Sequence, residues 1–597
     1  LIAKFTSMRF SEIEGTPGAS GSISSLVHRV AWPPAIPAEE PISIERVILI
    51  SNDAAIMDLY AKSLPACIQS VQLTAPGNII DQLPYLQKDK KSVIVYIPDE
   101  VQSLKDVPAA AESFTWQLLE VTKNVVQRSL PTKIFVLTTS ITQGKTPTAL
   151  AQSPLLGLSR VIASEHPDNF GGLIDGEQVA VPLTTMKYIQ GADVIRIFDG
   201  IPRTARLRAL PRDCRVAQPS KSLPRPEGTY LVAGGLGVLG LAVAEFLVDQ
   251  GARRLVLISR RGLPPRRAWS AASKEIQPVI SSIQDLERRG VCVHVLGLDL
   301  SAANGAHILL EQLDRLNLPP VLGVVHAAGV LENELIQETT RDAFTRVLSP
   351  KVAGSLTLHE AFPPNTLDFF VLFSSCGQLF GFPGQGAYGS ANTFLDTLAT
   401  HRRNLGENAV AFQWTAWRGM GMGSDSEFVA AELESKGITD VTRHDAFQAW
   451  LHLAQYRIDH GVVLRSRVFD EGEPLPTPIL KDIAIRRARG PANPHNTTDS
   501  DSPAAALGRN GIPSSESELK QYLDEQIRAC VANVLHLPLT DVDSRVALAD
   551  LGLDSVMNTT LRRQLQRTLK INVPPTLVWS YPTVKHLVGW FTEKLAR

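Results

Sequence analysis

The segment GTYLVAGGLGVLGLAVAEFLVDQG, from Gly228 to Gly251, decides the fold. An apolar run, TYLVA, ends in a glycine-rich turn, and the turn opens an apolar stretch of helical length. Gly235, Gly237 and Gly240 have the spacing G-x-G-x-x-G. Between a strand and a helix, glycines at this spacing let the backbone approach a pyrophosphate at the helix N-terminus. A tight turn alone would explain one of them, so the segment predicts a dinucleotide site.

Short β-branched runs alternate with helical stretches on both sides of this turn, a pattern typical of parallel sheets covered by helices. The series before it has strands predicted at Arg46–Ser51, Ser92–Ile97 and Lys133–Thr138. The series after it has strands predicted at Arg254–Ser259, Val291–Leu300, Val321–Gly329, Asp368–Ser375 and Asn408–Trp414. The predicted fold class is α/β, with two tandem Rossmann-like units.

The end of the chain has a different composition. Residues 487–514 are dominated by Pro, Ser, Asn, Asp, Gly and Ala, which cannot bury enough apolar surface to fold, so a flexible linker is predicted. Beyond it, Leu519, Leu523, Ile527 and Val531 recur at helical spacing. We therefore expect a small all-α module of four helices at residues 515–597.

Composition excludes several classes of function. The 597 residues exceed the roughly 250 to 300 that one core supports, so the chain has several domains. With 59 basic and 60 acidic residues, the net charge of -1 gives no reason to expect a nucleic-acid partner. The five cysteines form no C-x-x-C pair, so neither a disulfide framework nor a metal site is predicted, and a reducing cytoplasm is expected. No apolar run reaches the ~18 residues of a membrane helix.

The strand after the glycine turn indicates which dinucleotide is bound. It ends in Ser259, Arg260 and Arg261, where NAD sites usually place an acidic residue. Guanidinium groups suit a 2'-phosphate, so NADPH is the predicted cofactor, although one arginine could be merely solvated. Further predicted cofactor contacts follow the next two strands: Asp299, Ala328 and Gly329. The matching turn of the first series, Ile50–Ala55, has no glycine and should bind no nucleotide.

A second group of residues suits the reduction of a ketone, which needs a proton donor beside the developing alkoxide. Tyr388 is the candidate donor, with Ser375 thirteen residues before it at a strand end and Asn392 one helical turn after it. Lys351 lies thirty-seven residues before Tyr388, on the preceding helix. Each residue alone could be a core or surface position, and Ser374 could take the place of Ser375.

The patterns K-x-x-G at Lys351, F-S-S at Ser375 and Y-x-x-x-N at Tyr388 resemble the ketoreductases of modular and iterative polyketide synthases, which are extended short-chain dehydrogenase/reductases. The resemblance implies Tyr388 as general acid, Ser375 as hydrogen-bond donor to the carbonyl and Lys351 as the group lowering the pKa of the tyrosine. It implies proton-relay support from Asn392. It also implies that the first half is a truncated structural partner and that the substrate is a carrier-bound β-ketoacyl intermediate.

Two features depart from the stereochemical markers of that family. Leu331-Glu332-Asn333 stands where the family has Leu-Asp-Asp, and Phe380 stands where one class has Trp. The resemblance therefore implies no configuration for the alcohol.

The last module contains LGLDS, ending at Ser555. Asp554 can cap the following helix and present the serine at its N-terminus, although a cap alone would also explain the pair. The motif resembles that of acyl carrier domains, which implies that Ser555 receives 4'-phosphopantetheine.

The segments Phe412–Gly423 and Glu473–Arg487 are similar to those of fungal 6-methylsalicylic acid synthases, which are iterative, partially reducing polyketide synthases. Since the chain begins with Leu1, we expect a piece of a longer protein. The similarity implies upstream ketosynthase, acyltransferase and dehydratase domains on the same polypeptide, a phosphopantetheinyl transferase and a homo-oligomer. The predicted division is 1–14 as the tail of a dehydratase-like domain, 15–215 as the structural half, 216–486 as the catalytic NADPH-binding reductase, 487–514 as linker and 515–597 as carrier.

Two other functions are compatible with parts of this pattern. An inactive reductase would leave a carrier and assembly scaffold, which the intact glycines and Tyr388 oppose. The same pair of domains could also end a peptide synthetase hybrid or a carboxylate reductase, but the structural half before the reductase favours a polyketide synthase.

Overall fold

The computed structural model describes residues 23–73, 91–177, 180–189, 194–211, 214–215, 223–421, 427–487, 516–535, 537–548, 550–551, 553, 555–569, 571, 573 and 577–595. The predicted tail at residues 1–14, the linker from 488 onward and Asp554 lie outside these ranges.

The described part of the chain before the glycine turn contains nine strands and five helices. The strands are β1 (Val27–Ala31), β2 (Arg46–Ile50), β3 (Gln69–Leu73), β4 (Ser92–Tyr96), β5 (Lys133–Thr138), β6 (Phe170–Asp175), β7 (Val194–Phe198), β8 (Ile201–Thr204) and β9 (Arg206–Ala209). The helices are α1 (Ala54–Lys62), α2 (Val107–Gln127), α3 (Pro147–Gln152), α4 (Pro154–Glu165) and α5 (Leu183–Tyr188). The three strands predicted here correspond to β2, β4 and β5.

The chain from the glycine turn to residue 487 has eleven strands and eight helices in its described part. The strands are β10 (Thr229–Ala233), β11 (Arg254–Ser259), β12 (Cys292–Gly297), β13 (Val321–His326), β14 (Phe369–Ser375), β15 (Ala409–Trp414), β16 (Ile438–Thr439), β17 (His460–Val463), β18 (Arg465–Ser466), β19 (Val468–Asp470) and β20 (Ile485–Arg487). The helices are α6 (Val238–Asp249), α7 (Gln277–Arg288), α8 (Gly305–Leu316), α9 (Arg341–Ala361), α10 (Gly377–Phe380), α11 (Gly386–Asn404), α12 (Glu427–Ser435) and α13 (Arg443–Leu453).

Two large sheets form the body of the molecule, as the alternating pattern predicts. The first has the order β3-β2-β4-β5-β6-β7-β8 and is parallel apart from β8. The second has the order β12-β11-β10-β13-β14-β15-β17-β1-β9, and its strands from β12 to β17 are parallel. The prediction of tandem Rossmann-like parallel sheets is confirmed.

Strand pairing joins the two halves. β1 lies antiparallel to both β17 and β9, with Val27 opposite Val463 and Val30 opposite Leu207. Both β1 and β9 precede residue 215, yet both belong to the second sheet. The division at residues 215 and 216 remains a prediction from sequence, and the hydrogen-bonded sheet crosses it.

Helices of the two halves also share one hydrophobic core. Leu155 and Leu158 of α4 belong to the same buried cluster as Ala391, Phe394 and Leu398 of α11. This packing fixes α11, which contains Tyr388, against the first half.

The last module is helical, with α14 (Glu516–Leu535), α15 (Ser555–Leu569), α16 (Leu577–Ser580) and α17 (Val584–Leu595). Apolar side chains at helical spacing on α14 bury Leu523, Ile527 and Val531 against Leu561 of α15 and Phe591 of α17. The predicted amphipathic helix is therefore the one around which the small module packs.

Within the described ranges, no helix combines the length and apolarity that a membrane crossing needs. The same residues contain no group of three or more His, Cys, Asp or Glu side chains arranged to hold a metal ion.

Candidate reductase and carrier sites

The predicted cofactor and catalytic residues meet at one edge of the second sheet. The glycine turn follows β10, Ser259 ends β11, Asp299 follows β12, Ala328 follows β13 and Ser375 ends β14. These five strands are neighbours in the order β12-β11-β10-β13-β14. Ligands of open α/β sheets bind outside the carboxyl ends of the strands, so this edge is the candidate site.

The glycine turn is packed too closely for side chains at two of its predicted positions. A Cβ at Gly240 would lie 2.1 Å from the carbonyl oxygen of Gly234, and one at Gly235 would lie 2.8 Å from Cβ of Leu257. At Gly237, which is the N-cap of α6, the nearest atom would be 3.3 Å away. Gly237 is therefore less crowded than Gly235 and Gly240, and it stands at the start of the helix, where a pyrophosphate could approach.

Gly234 is a further glycine that the turn requires. Its φ of +80° lies in the left-handed region, and a Cβ there would lie 2.7 Å from the backbone nitrogen of Ala328. Ala328 and Gly329 thus line the same turn from the neighbouring strand. The sequence signal for Gly234 was the doubled glycine, but the G-x-G-x-x-G spacing assigned importance to its neighbour alone.

Arg260 and Arg261 lie beyond the end of β11 with exposed side chains. Neither guanidinium group has a hydrogen bond or ion pair within the described residues. Asp299 is also exposed, and its Oδ1 accepts a hydrogen bond of 2.9 Å from the backbone N–H of Ser301. The positive groups expected at a 2'-phosphate are therefore available at this edge.

The four predicted catalytic residues come together beside the turn. Nζ of Lys351, from α9, lies 5.9 Å from the ring centroid of Tyr388, in the first turn of α11. Burial raises the pKa of Tyr388, while the polar side chains of Asn392 and Ser375 oppose that rise. The tyrosine is thus held protonated, as a proton donor must be.

Ser374 and Ser375 point to opposite faces of β14, since successive side chains of a strand alternate. The hydroxyl of Ser375 faces Tyr388 and accepts the backbone N–H of Gly377 at 3.1 Å. Ser374 is buried and donates to the backbone oxygen of Asn392 at 3.2 Å. Of the two serines left open by the sequence, Ser375 is the one beside the tyrosine.

Asn392 is fully buried one turn after Tyr388. Its Nδ2 donates to the backbone oxygen of Tyr388 at 2.8 Å. Its Oδ1 has no hydrogen-bond partner among the described residues. A buried acceptor without a partner is costly, so this atom is available to a water or a substrate group.

Lys351 is surrounded by residues that no sequence pattern identified. Its ammonium donates to the backbone oxygen of Phe373 at 2.7 Å. Burial lowers the pKa of Lys351 to about 8, and the carboxylate of Asp396 opposes that shift. Asp396 lies about two turns after Tyr388 on α11, and burial raises its own pKa to about 6. The only sequence signal for Asp396 was its helical spacing from Tyr388.

His326, at the end of β13, was also missed. It is fully buried, and its Nε2 lies 3.0 Å from the backbone oxygen of Pro350, the residue before Lys351. Burial lowers the pKa of His326 to about 4, so the ring is neutral and can donate to that oxygen. The contact fixes the turn of α9 from which Lys351 extends.

The two residues at the family's stereochemical marker positions, Glu332 and Phe380, have defined contacts. Glu332 forms a two-pronged ion pair with Arg346 of α9, at 3.1 Å to Nε and 2.9 Å to Nη2. Phe380 is buried with Phe382, Leu433 and Ile438.

The corresponding turn of the first half is occupied by the protein's own carboxylates. Asp53 caps α1, accepting from the backbone nitrogens of Ala55 at 2.8 Å and Ile56 at 3.2 Å. Asp99 accepts from the hydroxyl of Ser51 and the backbone nitrogen of Asn52, each at 3.2 Å. Negative groups at this helix N-terminus disfavour a bound phosphate. The prediction that this half binds no nucleotide stays a prediction with that support.

Ser555 is the first residue of α15, so the predicted attachment position stands at the N-terminus of a helix.

A cavity of about 1640 Å³ lies away from the predicted sites, where the two halves meet the carrier module at Arg562 and Val573. None of the predicted catalytic or cofactor residues lines it. The candidate reductase site at the strand ends is therefore separate from this cavity.

Three protein-family models match the chain. The "KR domain" model matches residues 228–419 and the "Phosphopantetheine attachment site" model matches residues 525–591. A third, "Polyketide synthase extender module SpnB, Rossmann fold domain", matches residues 30–207. The matches cover both halves of the reductase and the carrier module.

Curated relatives match the whole chain. It is 63% identical over 600 residues to a 6-methylsalicylic acid synthase of Aspergillus clavatus, covering 100% of this chain and 35% of the relative. It is 62% identical over 599 residues to the 6-methylsalicylic acid synthase of Penicillium patulum, covering 100% and 33%. The chain thus spans about a third of the length of these relatives.

Among solved structures, an A-type ketoreductase from a modular polyketide synthase is similar, with a TM-score of 0.63 and 26% identity. The similarity covers 75% of this chain and 94% of that one. The chain therefore contains a ketoreductase domain and a phosphopantetheine attachment domain of the polyketide synthase family, and corresponds to the C-terminal part of the 6-methylsalicylic acid synthases.

Proposed function

We propose that the chain catalyses NADPH-dependent reduction of a β-keto group on a polyketide intermediate carried at Ser555. The observation that carries this proposal is the meeting of Tyr388, Ser375, Lys351 and Asn392 beside the glycine turn, at one edge of the second sheet. A proton donor and a dinucleotide turn at the same edge suit a carbonyl reductase.

The residues at this edge fit NADPH. Gly237 and the N-terminus of α6 suit a pyrophosphate, and the exposed Arg260 and Arg261 suit a 2'-phosphate. Asp299, Ala328 and Gly329 would line the remainder of the cofactor. When bound, NADPH supplies the hydride that reduces the carbonyl carbon.

The chain's own residues hold the substrate and supply the proton. Ser375 donates a hydrogen bond to the carbonyl oxygen and orients it. Tyr388 transfers its phenolic proton to the same oxygen as the alkoxide forms, giving the alcohol. The ammonium of Lys351 stabilises the resulting phenolate, and Asn392 supports the return of a proton to Tyr388.

The carrier module delivers the substrate. A phosphopantetheinyl transferase would attach 4'-phosphopantetheine to Ser555, and the acyl chain would be held as a thioester on its thiol. Because carrier and reductase are parts of one chain, the substrate reaches an effective concentration of the order of mM.

Within the longer protein, this reduction would be one step in building an aromatic polyketide of the 6-methylsalicylic acid type. High identity over the whole chain to synthases of that name supports the assignment. Ketosynthase, acyltransferase and dehydratase domains upstream on the same polypeptide would supply and consume the intermediates. We further propose that the longer protein is a homo-oligomer in the cytoplasm.

The test follows absorbance of reduced nicotinamide with NADPH and trans-1-decalone as a simple ketone. Tyr388→Phe should lower the rate by about 10²- to 10⁴-fold, because the proton donor is lost, and leave NADPH binding intact. Ser555→Ala should keep this rate and lose the mass increase that a phosphopantetheinyl transferase produces. If the unsubstituted chain binds NADPH but does not oxidise it with decalone or a carrier-bound β-ketone, the reductase proposal fails.

A further inference from the structure

Glu165 is the last residue of α4, in the first half of the reductase, and it contacts the second half. Its side chain is buried, with 2% of the residue exposed. Oε1 accepts the backbone N–H of Gly384 at 2.8 Å, and Oε2 accepts the backbone N–H of Ile336, also at 2.8 Å. One carboxylate from a half that the mechanism does not otherwise use therefore fastens two separate segments of the catalytic half.

Those two segments, the active-site walls, adjoin predicted site residues along the chain. Gly384 lies four residues before Tyr388, immediately ahead of α11. Ile336 lies in the segment after β13 that begins with Ala328 and Gly329. The backbone N–H of Glu334 also donates to the oxygen of Gly384 at 2.9 Å, so the segments are joined to each other as well as to Glu165.

The rest of α4 supports the same region. Nη1 of Arg160 donates to Oε1 of Gln378 at 2.7 Å, and Nε2 of Gln378 donates to Oδ2 of Asp396 at 3.0 Å. Gly157 packs on Gly389, next to Tyr388, so closely that a Cβ on Gly157 would lie 2.2 Å from the Gly389 oxygen. Helix α4 thus contacts the chain on both sides of the tyrosine.

A buried carboxylate is an expensive way to gain stability. Burial, with a smaller contribution from the nearby Glu338, raises the pKa of Glu165 to about 7, although the N–H groups of Gly384 and Ile336 oppose that rise. The ring of His166, 4.0 Å away, offers no compensating charge because burial lowers its pKa to about 4. An apolar side chain would fill such a site at lower cost, but it could not accept two backbone N–H groups.

We propose that Glu165 is a positioning residue of the reductase, whose carboxylate sets the distance between Tyr388 and the cofactor segment that begins at Ala328. The inference rests on the proposed reductase activity. It assigns to the first half a direct part in active-site geometry, through two hydrogen bonds to backbone groups.

Glu165→Gln in the full chain tests this, because an amide keeps the shape but offers only one acceptor oxygen for the two N–H groups. We expect kcat with trans-1-decalone to fall by about 10- to 100-fold, since small misplacements of reacting groups are that costly. We expect the Kd for NADPH to change much less than kcat, because Glu165 holds the cofactor segment at Ile336, eight residues after the predicted cofactor contact Ala328. Hydrogen exchange at the amides of Gly384 and Ile336 should become faster.

Glu112→Gln is the matched control. Oε1 of Glu112 also crosses between the halves, accepting from Nε of Arg341 at 3.1 Å, but Arg341 is the first residue of α9 and not part of an active-site wall. This variant should keep the kcat of the unsubstituted chain. If Glu165→Gln fails to fold, Glu165→Asp, whose carboxylate is one methylene shorter, should show the same loss of kcat with retained NADPH binding.

The outcomes separate the two proposals. If a Glu165 variant melts at a lower temperature but keeps a normal kcat per folded molecule, the role of Glu165 is purely structural. That result overturns the inference. If the unsubstituted chain itself is inactive, the proposed function fails, and unchanged exchange at Gly384 and Ile336 in Glu165→Gln would then reject the positioning role separately.

Discussion

The ammonium of Lys351 is almost completely removed from water, and this makes its charge sensitive to pH. It is 4% exposed, and burial lowers its pKa to about 8. Below that pH the group is charged and can stabilise a phenolate at Tyr388; above it the charge is lost. The rate of ketone reduction should therefore decline as the pH rises through about 8. A profile of kcat against pH measures this, and a rate that stays constant to pH 10 would contradict it.

Asp396 sets the position of that decline, because its carboxylate is the charge that raises the pKa of Lys351. In Asp396→Asn the ammonium loses this support, so the alkaline decline of kcat should move to lower pH. Asp440→Asn is a suitable control, since Asp440 pairs with Arg418 at the surface, and its profile should match the unsubstituted chain. An unshifted profile for Asp396→Asn would show that Lys351 does not depend on this carboxylate.

Residues differ in how far sequence alone could identify them. Tyr388, Ser375 and Lys351 stand in patterns with fixed spacing, so the sequence predicts them and the structure brings them together. Asp396 and Glu165 act through contacts between segments that are distant in sequence. No local pattern marks a carboxylate whose partners are the backbone N–H groups of a loop more than 150 residues away, so these two were found only in the folded chain.

At the scale of elements, the turn between β10 and α6 contains glycines that are needed for two different reasons. Gly240 is needed for packing, because its Cβ would lie 2.1 Å from a backbone oxygen, whereas a Cβ at Gly237 would lie 3.3 Å from its nearest atom, a tight contact that a small shift can relieve. Gly240→Ala should thus destabilise the fold by about 1–3 kcal/mol, as overpacking does. Gly237→Ala should destabilise the fold less than Gly240→Ala but bind NADPH more weakly, since the methyl group would stand where the pyrophosphate approaches.

Thermal unfolding and an NADPH titration distinguish these effects. Gly589→Ala, in helix α17 of the carrier, is the control: a Cβ there meets no atom within 4 Å, so NADPH affinity should not change. Equal affinity in Gly237→Ala and the unsubstituted chain would mean that this glycine does not face the cofactor.

The elements themselves were largely predictable, and their pairing was not. The β-branched runs at residues 46–51, 133–138 and 254–259 became β2, β5 and β11 because each is a buried strand of a parallel sheet, a pattern readable over a few residues. β1 joins the second sheet by pairing with β17, more than 400 residues away, and β9 joins it by pairing with β1. Pairing over that separation leaves no periodic signal in the sequence.

At the scale of the whole molecule, the first half of the reductase completes the second in three ways. It supplies β1 and β9 to the second sheet, it buries α11 beneath α4, and it provides Glu165 to the active-site walls. A half predicted to bind no nucleotide would be dispensable if it were a separate domain, but here the sheet and the core continue through it. The folding unit is therefore the pair of halves.

This leads to a prediction about fragments. A piece containing residues 23–487 should unfold cooperatively and bind NADPH, because both sheets and their shared core are complete. A piece containing residues 216–487 would leave β17 without its partner β1 and expose Ala391 and Phe394 of α11 to water. Because an unpaired strand edge and an uncovered apolar face both favour aggregation, we expect the shorter piece to be aggregated or unfolded. Size-exclusion chromatography, thermal unfolding and NADPH titration of both pieces measure this, and a monodisperse shorter piece with the same unfolding temperature and affinity would mean that the catalytic half folds independently.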